Sequence, residues 1–260
     1  MTEVRLVIEE RGDGDHVATV TVDNPTKLNI LDPDGIAALE RMFRGLAADD
    51  TLRAVILRGA GSRAFIGGAD IRAMAKLDRE SARAFIAGLH RACDAIRKLP
   101  VPVIARIEGY ALGAGLEIAA SCDFRVAADS ARFGMPEVKV GIPSVIEAAL
   151  LPRLIGWGRA RWLLYTGEMI GAEEAERWGL VERMARPADL DAAIDASVLA
   201  ILAAGPRAIR LQKRLIQEWE GLGLNEAIAR GIDTFAEAYA SPEPGARMAA
   251  FLGKKTKPPR

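Results

Sequence analysis

The chain has 260 residues, with 35 basic and 35 acidic side chains, so its formal net charge is zero. That length suits one sizeable domain with a small appendage, and a half-hydrophobic composition excludes a disordered chain. Balanced charge argues against broad attraction to nucleic acid or anionic membrane, and two histidines (His16, His90) with two cysteines (Cys93, Cys122) argue against a His/Cys metal cage or a disulfide framework.

The first twelve residues alternate like a strand and lack the apolar core of a targeting signal. No run approaches the eighteen or so apolar residues of a membrane helix. The expectation is a soluble cytoplasmic protein whose chemistry comes from carboxylates, backbone dipoles or a bound ligand.

In chain order, Val4–Glu9 and His16–Val22 alternate and predict two strands joined by a hairpin turn at Arg11-Gly12-Asp13-Gly14-Asp15. Asp32-Pro33 is a cap followed by a first-turn proline, and Ile36, Leu39, Phe43 and Leu46 recur at helical spacing. Ala54–Leu57 reads as a buried strand closed by Gly59-Ala60-Gly61. Arg79–Leu99 is amphipathic, with Phe85, Ile86, Leu89, Cys93, Ile96 and Leu99 on one face. Pro100–Ile107 returns as a strand, Gly113–Ser121 as a short buried helix and Asp123–Ala127 as another strand. Helices follow over Ala172–Trp178, capped by Gly179, and over 188–203, 206–219 and 224–239. The basic tail Lys254–Arg260 is expected to be mobile at its end. This pattern predicts one α/β core over residues 1–195 and a helical region over 196–260.

Several motifs fail. Gly59-Ala60-Gly61-Ser62-Arg63-Ala64 fits a dinucleotide fingerprint after a strand, but Gly67 and Gly68 stand where the first turns of its helix should be. There is no phosphate loop, no nucleophile elbow and no His-Glu-x-x-His helix. His90 reads as a helix-surface residue and His16 as a structural turn residue.

Two glycine-rich segments stand out because paired glycines cost conformational entropy unless a backbone turns sharply or approaches something closely. They are Ala64-Phe65-Ile66-Gly67-Gly68-Ala69-Asp70-Ile71 and Gly109-Tyr110-Ala111-Leu112-Gly113-Ala114-Gly115-Leu116-Glu117. The second runs from a strand into a helix, so unpaired amides at the positive end of the dipole suit a developing oxyanion. Glu117 lies in the first turn of that otherwise apolar helix, where burial should tune it. Phe133-Gly134-Met135-Pro136-Glu137 supplies a second carboxylate in a strand-like or turn segment. Glycine-rich turns before helices are common, and an acid in a first turn often serves the dipole. The residues alone therefore leave a catalytic and a structural reading open.

Taken together these segments resemble the enoyl-CoA hydratase/isomerase (crotonase) superfamily. The resemblance extends through Asn24-Pro25-Thr26-Lys27-Leu28-Asn29, Phe133–Pro143, Pro152–Gly156, Thr166-Gly167-Glu168, Ala172–Val181 and Met248–Leu252. It implies an α/β spiral of ββα units with a C-terminal helical region that mediates homotrimers, often paired into homohexamers. It also implies an oxyanion hole from the Ala69 and Ala114 amides, with Glu117 and Glu137 adding water to a 2-enoyl-CoA, Glu137 moving the proton and Glu117 positioning the water. CoA would be met around Lys27, Leu28, Gly68, Ala69, Asp70, Ile71, Arg72 and Gly113, with a cation from the C-terminal tail. The resemblance calls for no cofactor beyond the CoA of the substrate, no metal, no nucleic acid and no membrane. The same hole serves double-bond isomerisation, decarboxylation or thioester hydrolysis, and some relatives bind RNA instead.

Three departures from the family pattern bear on the substrate. Ala114 replaces a frequent glycine, only Ile142 separates Gly141 from Pro143, and Ser144-Val145-Ile146-Glu147-Ala148-Ala149 replaces a glycine-rich helix start. Glu147 in this segment is a candidate third acid toward the acyl group, although an acid in a helix's first turn more often serves the dipole.

Overall fold

The computed structural model describes residues 1–12 and 14–255, so Asp13 of the hairpin turn and the basic tail from Thr256 lie outside the described residues. Two compact units divide the chain, Met1–Val198 and the remainder from Leu199.

The first unit begins with β1 (Glu3–Glu10) and β2 (His16–Asp23), an antiparallel hairpin. Next comes α1 (Pro33–Leu46), whose Asp32 cap accepts from the Gly35 N–H at 2.8 Å. Then follow β3 (Leu52–Gly59), β4 (Ala64–Ile66), the single turn α2 (Ile71–Met74) and the long α3 (Arg79–Arg97). β5 (Val103–Ile107) and β6 (Tyr110–Leu112) lead into α4 (Ala114–Ser121), and β7 (Phe124–Ala128) and β8 (Arg132–Gly134) follow. After two 3-10 turns, Pro136–Val140 and Ile146–Leu150, come α5 (Leu151–Ile155) and α6 (Trp157–Thr166). β9 (Met169–Gly171), α7 (Ala172–Trp178), β10 (Arg183–Ala185) and α8 (Leu190–Ala203) complete this part of the chain.

The strands form two sheets. The larger has the order β1-β2-β3-β5-β7-β10, parallel from β2 onward; the smaller has the order β4-β6-β8-β9, parallel except for β9. Each of the pairs β3/β4, β5/β6 and β7/β8 places its first strand in the large sheet and its second in the small one, one position further along. This is the expected spiral. The central strands are buried, with β5 enclosed along its whole length, as parallel strands covered by helices must be. Phe43 and Leu39 of α1 and Leu89, Cys93 and Ile96 of α3 belong to the same fully buried core.

Three arginines are buried on adjacent strands of the large sheet, and each has an acidic partner. Arg53 pairs with Asp15, Arg106 with Glu108 and Asp191, and Arg125 with Glu182. Cys93 and Cys122 are buried, unbridged thiols.

The second unit contains α9 (Pro206–Trp219), α10 (Leu224–Ala238) and α11 (Glu243–Lys255). Glu243 caps α9, accepting from the N–H groups of Arg207 and Ala208, both at 3.0 Å. Ion pairs Arg230–Glu218 and Arg214–Glu237 tie α9 to α10. Leu224, Ile228, Ile232 and Phe235 on α10 are exposed. No single helix among the described residues is long and apolar enough to cross a membrane.

The small sheet beyond its glycine-rich turns, the strand β10 and the helices α2, α5, α6 and α11 are not evident from the sequence pattern. That pattern also begins the strand at Pro100, where the backbone enters β5 only at Val103. The dinucleotide alternative fails for the reason foreseen: Ala64–Ile66 is a strand, and no helix opens at the Gly59–Gly61 turn.

Candidate active site

The small sheet brings the site together. β4, β6 and β8 are adjacent and parallel, and neighbouring strands lie about 4.8 Å apart. The connections leaving their C-terminal ends carry, in turn, Gly67-Gly68-Ala69, Gly113-Ala114 and Met135-Pro136-Glu137. Stretches far apart in sequence therefore converge on one edge, where a cavity of about 840 Å³ opens.

The amide of Ala69 is aimed by strand geometry. Leu31 N–H donates to Gly68 O at 2.9 Å, and Asp70 N–H donates to Leu31 O at 2.9 Å, forming a parallel bridge between Leu31 and Ala69. Extended backbone alternates its polar groups from side to side, so the Ala69 N–H faces away from Leu31, and Ala69 lines the cavity. The turn is held from behind by Leu28, a residue at φ 57° whose carbonyl accepts from Gly67 N–H at 2.8 Å. Buried Asn29 supports it, with its side-chain amide donating to Ala60 O at 3.0 Å and Ala64 O at 2.7 Å. Nothing in the sequence around Asn29 signals this role.

The second amide belongs to Ala114, the first residue of α4, whose N–H has no partner within its own helix. Gly113 before it has φ 52°, and a Cβ there would fall 2.2 Å from Glu137 Oε1. Only glycine permits that close approach. Gly113 N–H is taken by Gly134 O at 2.9 Å, which leaves the Ala114 amide at the cavity wall.

Both glutamates line the same cavity. Glu117 is buried within α4, and its Oε1 accepts from the Ala148 N–H at 3.2 Å. Burial, then the Glu137 carboxylate, raise its pKa from 4.5 to about 8; the Ala148 amide pulls against them and Glu147 adds to them. Glu117 is thus protonated at neutral pH. Glu137 stands on the 3-10 turn Pro136–Val140, and its Oε2 accepts from Ser144 Oγ at 2.7 Å. The remaining wall is apolar, with Phe85, Ile86 and Leu89 of α3 facing Ile142, Pro143 and Val145.

Two carboxyl groups and two amides without a hydrogen-bond partner among the described residues thus surround one apolar hollow. Residues 12–258 match the family model for enoyl-CoA hydratase/isomerase. This chain belongs to the enoyl-CoA hydratase/isomerase family.

Among the relatives is the short-chain-enoyl-CoA hydratase of Clostridium acetobutylicum, 35% identical over 251 residues, which span 96% of this chain and 95% of the relative. The crotonyl-CoA hydratase of Syntrophomonas wolfei is also 35% identical, over 98% of this chain and 97% of its own. The crystal structure of an enoyl-CoA hydratase from Bacillus anthracis superposes with a TM-score of 0.90 at 31% identity, covering 96% of each chain.

Against that family background the structure sorts the expected site residues. Gly68, Ala69, Ile71, Gly113, Ala114, Glu117 and Glu137 line the cavity. Lys27, Leu28, Asp70 and Arg72 do not; Leu28 braces the Gly67 turn and Asp70 caps α2 by accepting from Arg72 N–H at 2.9 Å. The cations on the wall are Arg79, Arg83 and Lys139, which the sequence reading did not single out. Of the two readings of Glu147, an acid facing the acyl wall is the one the structure does not support. Glu147 is buried but does not line the cavity, because it turns toward α3, where its Oε1 lies 2.9 Å from His90 Nδ1. His90 is exposed, as expected of a helix-surface residue, yet its ring holds a buried acid. Ser144 and Ala148, both in the segment that departs from the family pattern, were not foreseen as the partners of the two carboxylates.

Proposed function

We propose that this chain is an enoyl-CoA hydratase that adds water across the C2–C3 double bond of a 2-enoyl-CoA. The observation that carries this reading is the pairing of Glu117 and Glu137 on the same cavity wall as the Ala69 and Ala114 amides. The relatives named for hydration of short-chain enoyl-CoA and crotonyl-CoA support it.

The two amides are assigned to the thioester oxygen. As water attacks C3, electrons pass through C2 onto that oxygen, and preorganised donors stabilise the enolate more than the ground state. Protonated Glu117 holds the water by hydrogen bonding. Glu137 accepts the water's proton as the O–C3 bond forms and returns it to C2 as the enolate collapses. Water is thereby added as hydroxyl at C3 and hydrogen at C2, and both carboxyl groups end as they began. These steps use only protein groups, water and the thioester, with CoA supplied by the substrate.

We assign CoA's phosphates to Arg79 and Arg83 on the wall, with Lys27 and Arg72 on the adjoining turns; cations are what a neutral protein must place locally to hold this ligand. The exposed apolar stripe of α10 supports assembly into a homotrimer or homohexamer. The two unbridged thiols fit a reducing, cytoplasmic setting.

The test is a panel of CoA thioesters followed by mass. Hydration adds one water, isomerisation leaves mass unchanged, and decarboxylation or thioester hydrolysis releases carbon dioxide or free CoA. Glu117→Gln and Glu137→Gln are each expected to lower kcat on a short 2-enoyl-CoA by about a hundredfold or more. Near-normal turnover by either variant overturns the paired mechanism.

A further inference from the structure

The segment after Pro143 reaches both carboxylates: Ser144 Oγ bonds Glu137 and the Ala148 N–H bonds Glu117. Between these two residues Ile146 has φ 41°, where a β-branched side chain is strained. Such a conformation persists only when its surroundings hold it. Glu147, next in the chain, is 4% exposed; one oxygen meets His90 Nδ1 at 2.9 Å, and Oε2 is enclosed without a hydrogen-bond partner among the described residues. A carboxylate is a costly way to anchor a turn that an apolar side chain could anchor more cheaply. Its place in the chain, next to the Ala148 amide that bonds Glu117, points to a use beyond packing.

We propose that Glu147 and His90 are positioning residues, a pair that pins the Ile146–Leu150 turn to α3 and so holds the Ala148 amide, and a negative charge, against Glu117. Neither residue lines the cavity, so neither touches the substrate. The proposal rests on the hydratase reading in giving Glu117 the water to hold.

The groups that act on Glu117 are Glu137 from the 3-10 turn, Glu147 with the Ala148 amide, and the low-dielectric wall of α4. Cys93 of α3 senses both Glu147 and Glu117, but burial pushes its thiol well up, so it remains uncharged. The Ala148 amide favours ionised Glu117, whereas the Glu147 charge opposes it. Losing the amide and losing the charge therefore move Glu117 in opposite directions, which a purely structural role for the pair does not require.

The experiment follows the Glu117 carboxyl by ¹³C NMR in the full-length chain, assigned by its loss in Glu117→Gln, alongside kcat and KM for a short 2-enoyl-CoA from acid to alkaline pH. Glu147→Gln keeps the shape and removes the charge; the titration of Glu117 and the alkaline fall in kcat should both move down by about half a unit or more. His90→Ala should loosen the turn, move the titration up, and lower kcat about tenfold with KM held within about twofold. His90→Gln, whose amide can donate to Glu147, should recover kcat to within about threefold of the parent. Because the His90 side chain is half exposed, these two variants keep the test open should Glu147→Gln fail to fold. Unmoved titrations and pH profiles, or KM deteriorating as much as kcat in His90→Ala, overturn the proposal. If the wild type hydrates no enoyl-CoA while the titrations shift as stated, the hydratase reading fails and the clamp stands.

Discussion

At Glu117, a carboxyl group is held protonated into the alkaline range by burial first and by the neighbouring Glu137 second. Below about pH 4 it is protonated whether the chain is folded or not. Between 4.5 and about 8 the unfolded chain releases the proton and the folded one keeps it, so folded stability falls as pH rises through that window. Glu117→Gln lacks this penalty: it should melt with the parent near pH 4 and become increasingly the more stable protein toward pH 9, with a ceiling of about 5 kcal/mol. Calorimetric melts across that range check the sign. In the parent, kcat should decline above about pH 8, as ionised Glu117 sets a second negative charge beside Glu137. Ser144 offers a gentler probe, since its hydroxyl donates to Glu137. Ser144→Ala should lower kcat about tenfold with little change in KM, the usual cost of one hydrogen bond to a charged group, as steady-state kinetics will show.

At the level of elements, the chemistry depends on how each small-sheet strand ends. Gly113 closes β6 with a left-handed backbone and no side chain, which lets Glu137 lie against it. Gly113→Ala is expected to displace that carboxylate and lower kcat by about a hundredfold or more, while circular dichroism still reports the native helix content. The same elements explain what sequence reasoning could reach. The large-sheet strands β1, β2, β3, β5 and β7 carry five to eight residues, and α3 shows its period over nineteen, so these were legible, whereas the three-residue β10 was not. β4, β6, β8 and β9 have three residues each, too few to display alternation. Helices α5 and α6 were masked by Gly156, which at φ 80° interrupts one apolar pattern and divides it between two axes. Glu117 stood out as a candidate from its apolar run, though the run alone left a structural role open. The direction of Glu147 was not legible, because the distant His90 ring sets it.

For the whole molecule, zero net charge reflects local compensation as much as the absence of a charged surface. Arg53, Arg106 and Arg125 are buried in the large sheet with acids drawn from other segments. Removing one partner of such a pair is strongly destabilising, because the remaining charge stays in the interior. The single Glu182→Leu variant, which strips Arg125 of its acid, should therefore be the less stable by about 2 kcal/mol or more when its melt is compared with that of the double variant Arg125→Met with Glu182→Leu. In the helical unit, Ile232 and Phe235 are two-thirds exposed on α10. Replacing both with Glu should convert the proposed homotrimer or homohexamer to monomer, as measured by light scattering.

The winding of the first unit has an evolutionary consequence. The amides and carboxylate proposed for catalysis, and the apolar wall beside them, are lodged on separate turns of one repeating path, most of them following a short strand of the small sheet. One turn can therefore vary while the others keep their register. The Ser144–Ala149 segment shows how local such a change can be: its Glu147 meets a histidine from a helix more than fifty residues earlier, beside neighbouring turns that bring Ala69 and Ala114 to the same cavity. A scaffold of this kind can acquire new substrates one connection at a time.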